Sequence, residues 1–177
     1  VQDAGANAYN VAVGASAGLS VTTGLSNTLI GGQAGDALTT GSENIAIGRQ
    51  ALTTEDTGNK SVAVGNGALA SQNYDGDAFN VAVGHATGYS ITTGVQNIIL
   101  GGNAGDALTT GSNNIAIGYR ALTSEDAHGR NVAIGQDALF ALNAGANALN
   151  VAIGFETGKS TTTGDRNTLI GSLVADS

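Results

Sequence analysis

Ten times along this chain a polar residue is followed, four positions later, by Gly. The anchors are Asn10, Asn27, Asn44, Ser61, Asn80, Asn97, Asn114, Asn131, Asn150 and Asn167. They are spaced 17, 17, 17 and 19 residues apart, then 17, 17, 17 and 19 again, then 17. Between each anchor and its Gly lies an apolar triplet, as in "NVAVG" (10–14), "NIAIG" (44–48) and "SVAVG" (61–65). An invariant Gly at a fixed offset marks a backbone corner with φ > 0, which only Gly enters without a Cβ penalty. A fixed period of this length marks a repeat architecture. The chain therefore reads as one repeat domain, 1–177, with super-repeats at 10–79 and 80–149 and a partial third at 150–177. Residues 1–9 match 143–149 and read as the end of a preceding coil.

Seven residues after the anchor stands a small side chain, usually Ala (Ala17, Ala34, Ala51, Ala68, Ala104, Ala121, Ala138), with Thr87, Thr157 and Val174 completing the column. Segments such as "VTTG" (21–24) and "ITTG" (91–94) follow, where β-branched residues meet a turn Gly. The expectation is an all-β parallel solenoid of about ten coils, each with two short strands and two turns. A helical repeat would show 3.6-residue periodicity, and none is present. Stacked coils place identical side chains about 4.8 Å apart, so the anchor Asn amides should bond up their column, with Ser61 as the one gap.

Residues one and three after the anchor, such as Val11 and Val13 or Ile45 and Ile47, are expected to fill the coil interior. The middle residue then points outward: Ala12, Leu29, Ala46, Ala63, Ala82, Ile99, Ala116, Ala133, Ala152 and Leu169. A strand apolar on both faces is buried on both. This outward row is accordingly expected to form the seam of a homotrimer.

These runs resemble the repeats of YadA-like trimeric autotransporter adhesin heads, and "TTGSNNIAIGYRAL" (109–122) is similar to repeats of phage tail-fibre and tail-fibre-domain proteins. The resemblance covers nearly the whole chain, although the coil here is longer than the adhesin-head repeat. It implies a left-handed parallel β-roll, trimeric, serving as shaft, spacer or adhesive head. The expected setting is extracellular, on a virion fibre or a bacterial cell surface.

Composition narrows the function further. The 28 Gly and the absence of Pro, Cys, Met and Trp leave no disulfide scaffold and no thiolate metal site. A net charge of −8 with six scattered bases argues against nucleic acid as a partner. No apolar run approaches about 18 residues, so membrane insertion is not expected.

Residues with chemical potential are few. His85 and His128 lie in different coils, and neither is expected to serve catalysis or a metal. The acids in "TTED" (53–56) and "TSED" (123–126) are neighbours with diverging side chains and read as turn or surface groups. "GGQAGDALT" (31–39) and "GGNAGDALT" (101–109) approach a calcium nonapeptide, but tandem copies are missing around Asp36 and Asp106. Ice binding needs one flat rank of Thr, and consecutive Thr such as Thr22 and Thr23 face opposite ways. No set of nucleophile, base and oxyanion donor emerges, so no enzyme and no cofactor are expected. The remaining binding possibility is a surface glycan or host receptor, met by Tyr74, Tyr89 and Tyr119.

Overall fold

The computed structural model describes residues 8–145 and 148–175. The described residues form ten three-residue strands and no helix. In order these are β1 (Val11–Val13), β2 (Thr28–Ile30), β3 (Ile45–Ile47), β4 (Val62–Val64), β5 (Val81–Val83), β6 (Ile98–Leu100), β7 (Ile115–Ile117), β8 (Val132–Ile134), β9 (Val151–Ile153) and β10 (Thr168–Ile170). Each strand pairs parallel with the next, in sequence order, giving a single ten-stranded sheet. The register keeps equivalent residues together, as in Val11 with Thr28 and Ala46 with Ala63. The fold is a β-solenoid, one coil per repeat.

The corner Gly has φ between 125° and 141° at all ten sites. Stacking adds a second reason for the glycine: a Cβ on Gly48 would lie 2.3 Å from the carbonyl oxygen of Gly65 one coil up. The "TTG" segments are bends rather than strands. They still stack, with Thr22 N–H donating to Thr39 O and Thr39 N–H to Asp56 O, so each coil holds one strand where two were expected.

The expected orientation of the strand is reversed. Ala46, Ala63, Ala82, Ala116, Ala133 and Ala152 are fully buried inside their coils, as are Leu29 and Ile99. The flanking residues face out: beside the interior Ala46 stand Ile45, 37% exposed, and the half-buried Ile47, and beside the interior Ile99 stand Ile98, 42% exposed, and the half-buried Leu100. Ala12 and Leu169 hold the same row in the end coils, where they are exposed and half-buried. The cause is the width of the coil, because the middle residue meets the fully buried Ala column across a narrow interior.

Size complementarity runs through this core. Where the middle residue is Leu29, the eighth residue after the anchor is Gly35, and a Cβ there would come within 2.8 Å of Leu29. Where the middle residue is Ala46 or Ala63, the eighth residue is Leu52 or Leu69, fully buried. Leu52 and Leu69 adopt φ of 51° and 49°, as do Leu122 and Leu139 at 54° and 49°. A left-handed Leu costs about 1–2 kcal/mol, and burying its side chain returns about 1.5–3 kcal/mol. Burial outweighs the strain.

The anchor Asn side chains, buried except for the half-buried Asn10 and Asn167 of the end coils, hold coil to coil. Asn97 shows the pattern: its Oδ1 accepts the backbone N–H of Asn114 at 2.9 Å, and its Nδ2 donates to Gly111 O at 2.9 Å. The same two bonds recur from Asn10, Asn27, Asn44, Asn80, Asn114 and Asn150. Amide-to-amide bonds up the column occur at Asn97 to Asn80 and Asn167 to Asn150. The column therefore works chiefly by tying side chain to neighbouring backbone. Asn97→Ala would orphan the Asn114 N–H and Gly111 O, and an unsatisfied buried group costs about 1–3 kcal/mol. We expect a loss of about 2–4 kcal/mol, read as faster amide hydrogen exchange at Asn114; unchanged protection there would disprove the role.

Candidate functional site

Two features stand apart from simple stacking: buried polar groups in the third and fourth coils of each super-repeat, and side chains lining the outside. Leu52 and Leu69 fill the core from the eighth position, which frees the eleventh for Glu55 and Gln72. Both are fully buried. Glu55 Oε1 accepts the Gly58 N–H at 2.8 Å, and its Oε2 accepts Gln72 Nε2 at 2.9 Å and Tyr74 N–H at 3.4 Å. Gln72 Nε2 also reaches Ser61 Oγ at 2.8 Å, and Gln72 Oε1 accepts Asn80 Nδ2 at 2.9 Å. Gln72 thus bridges the one gap in the anchor column.

The second super-repeat solves the same problem differently. Asn131 restores the anchor amide, the Gln72 equivalent becomes Leu142, and Gly58 becomes His128. Glu125, also fully buried, now accepts the His128 backbone N–H at 3.2 Å and lies 3.1 Å from its Nδ1. Asn131 Nδ2 is left without a partner. Of the "TTED" and "TSED" acids, Glu55 and Glu125 are interior, because the neighbouring turn supplies donors to receive them, whereas Asp56 is half-buried and Asp126 is exposed.

Burial pushes the Glu55 carboxyl above its usual range, against the opposing pull of Gln72, Gly58 and Tyr74. A carboxyl raised on folding gives stability that is complete below the unfolded pKa and is lost as pH rises through the folded one. Replacing Glu55 and Gln72 together by Leu removes that dependence. We expect the double variant to gain stability relative to the parent as pH rises from about 4 to 7, measured by denaturant midpoints; a pH-independent difference would show that folding leaves the Glu55 carboxyl unshifted.

Donor atoms of Glu125, Asp126 and His128 lie within 4.8 Å of one another, a set with ligand chemistry suited to a divalent cation. The Glu125 carboxylate is already occupied by His128 and by the Ala144 N–H at 3.4 Å, so folding alone accounts for the grouping. Asp36 accepts Thr53 Oγ1 at 2.6 Å. The hydroxyls of Thr22, Thr39, Thr92 and Thr109 bond carbonyls of the next coil rather than forming a free rank. His85 is exposed. Among the described residues there is no cavity.

The three Tyr occupy different rows, thirteen, nine and five residues after their anchors. Tyr74 is half-buried in the wide loop of the fourth coil, its ring against Gly76. Tyr89 is 50% exposed and lies over Gly67, and Tyr119 is 53% exposed and lies over Gly102. Sequence reading missed the outward apolar strip formed by the first and third strand residues. The signal was present in the pairing of Leu29 with Gly35 and of Ala46 with Leu52. No family model matches the chain, and no curated protein or solved structure shows significant similarity to it.

Proposed function

We propose that this chain is a non-enzymatic structural segment of an extracellular fibre, on a virion or a bacterial cell surface, acting as a stiff homotrimeric shaft or head that positions attachment sites. One observation carries the reading. The sheet presents two outward rows in which eighteen of twenty side chains are Val, Ile or Leu and the others are Thr28 and Thr168. No charge interrupts a strip about 43 Å long at the usual strand spacing, although the chain carries 14 acids and six bases elsewhere. Continuous apolar strips of this kind mark protein contacts. Copies that pack these strips together would bury the one face that the solenoid leaves uncovered, and the rod would gain stiffness from shared side chains. The resemblance to adhesin-head repeats favours three copies.

The seam in this reading consists of the Val and Ile rows, in place of the Ala row. Light scattering coupled to size exclusion should give about three times the 17.3 kDa chain mass. Ile98→Glu should leave a folded single chain, since Ile98 is 42% exposed, whereas Ile99→Glu should unfold the coil by burying an unpaired charge. A stable monomeric parent, or an Ile98→Glu variant that still assembles, would refute the seam.

A further inference from the structure

We propose that one flank of the solenoid binds an extended β-1,4-linked polysaccharide, laid along the rod axis over planar side chains presented by every second coil from the third to the ninth. This goes beyond the structural role and requires no particular number of copies. The fifth residue after the anchor, just past the Gly corner, lies off the apolar sheet face. In the third, fifth, seventh and ninth coils it is Arg49, His85, Tyr119 and Phe155, all exposed and all flat π-systems. The intervening coils place Asn66, Gly102 and Gln136 there.

The backbone holds this row in strict register. Each of these residues gives its carbonyl to the following coil, as in His85 O from Asn103 N–H, Gly102 O from Arg120 N–H and Tyr119 O from Asp137 N–H, at 2.9, 3.1 and 3.0 Å. Two coils advance about 9.6 Å, close to the advance of two sugars in an extended β-1,4 chain. Sugars present apolar faces that stack on aromatic rings and guanidinium planes, and the Asn66 and Gln136 amides offer donors and acceptors to hydroxyls between the pads.

Gly102 gives a second, independent indication. Its backbone does not adopt the positive φ of its neighbour Gly101, and a Cβ would make only ordinary contacts, the nearest being the Tyr119 ring at 3.6 Å. Nothing in the fold demands glycine there. A bare backbone at this point lets the Tyr119 ring lie over Gly102, with the Arg120 guanidinium 5.4 Å from the ring centroid as a second planar group beside it. Arg49 leans over Gly32 in the same way, its Cγ 3.9 Å from a Cβ placed there.

The chain has four Tyr and no Trp, so intrinsic emission reports on tyrosine. Titration of the folded protein with cellohexaose and chitohexaose should give saturable binding to at least one, and maltohexaose, whose α-linked chain curls, should not bind. Tyr119→Ala and Phe155→Ala, followed by calorimetry, should each weaken binding at least tenfold with circular dichroism unchanged. Gly102→Val should do the same by lifting the ring, and Tyr74→Ala should have no effect. The proposal fails if neither β-linked hexaose binds, if maltohexaose binds equally, or if Tyr119→Ala and Phe155→Ala bind like the parent.

Discussion

Each coil must return its chain to the starting strand within 17 or 19 residues, one strand spacing further along, and that short circuit leaves an interior wide enough for small side chains with one large one between them. The other features of the core follow from this width. The middle strand residue is Ala where Leu enters from the eighth position, and in the second coil of each full super-repeat, where the eighth position is Gly, it is Leu29 or Ile99. In the first coil of each super-repeat, Ala and Gly at these places leave the volume to Val21 and Ile91, and to the Leu29 or Ile99 of the neighbouring coil. The 70-residue super-repeat is a packing cycle, in which the first and second coils cannot be exchanged with each other, or with the third, without a clash or a void.

Polar groups obey the same restriction. An anchor Asn in every coil but one, buried except in the two end coils, consumes backbone groups that a thin solenoid could not pair otherwise, and the exception at Ser61 is made good by Gln72 from the turn. The two super-repeats differ in the side chains that meet this carboxylate: Gln72 bonds it in one, and His128 in the other, where Asn131 restores the anchor but leaves its Nδ2 without a partner. What is preserved between them is the buried carboxylate, Glu55 or Glu125, which receives turn N–H donors where the chain closes each wide loop.

Outside the coil the constraints relax, and the surface divides into two kinds. The strand face is apolar and nearly uniform along its length, as suits a contact between equivalent rods. The flank beyond the Gly corner varies from coil to coil while its backbone stays in register, so that any side chain placed there is repeated on a fixed ruler. A rod of this design can carry attachment chemistry without altering the core that sustains it.

The sequence by itself determined the repeat, the coil boundaries, the corner glycines and the buried Asn column, because each of these needs a particular residue type at a fixed offset. It also announced, through two apolar faces, that the strand has something to cover. Which face lies inside was decided by the tertiary structure. Alternation along a strand separates two faces but does not label them, and the larger Val and Ile side chains looked like core until the narrow interior assigned that place to Ala. The buried Glu55 and Glu125 escaped sequence reading for a related reason: a carboxylate becomes interior only when donors from other positions converge on it, and Gln72, His128 and Ala144 reach it only once the coils are closed and stacked.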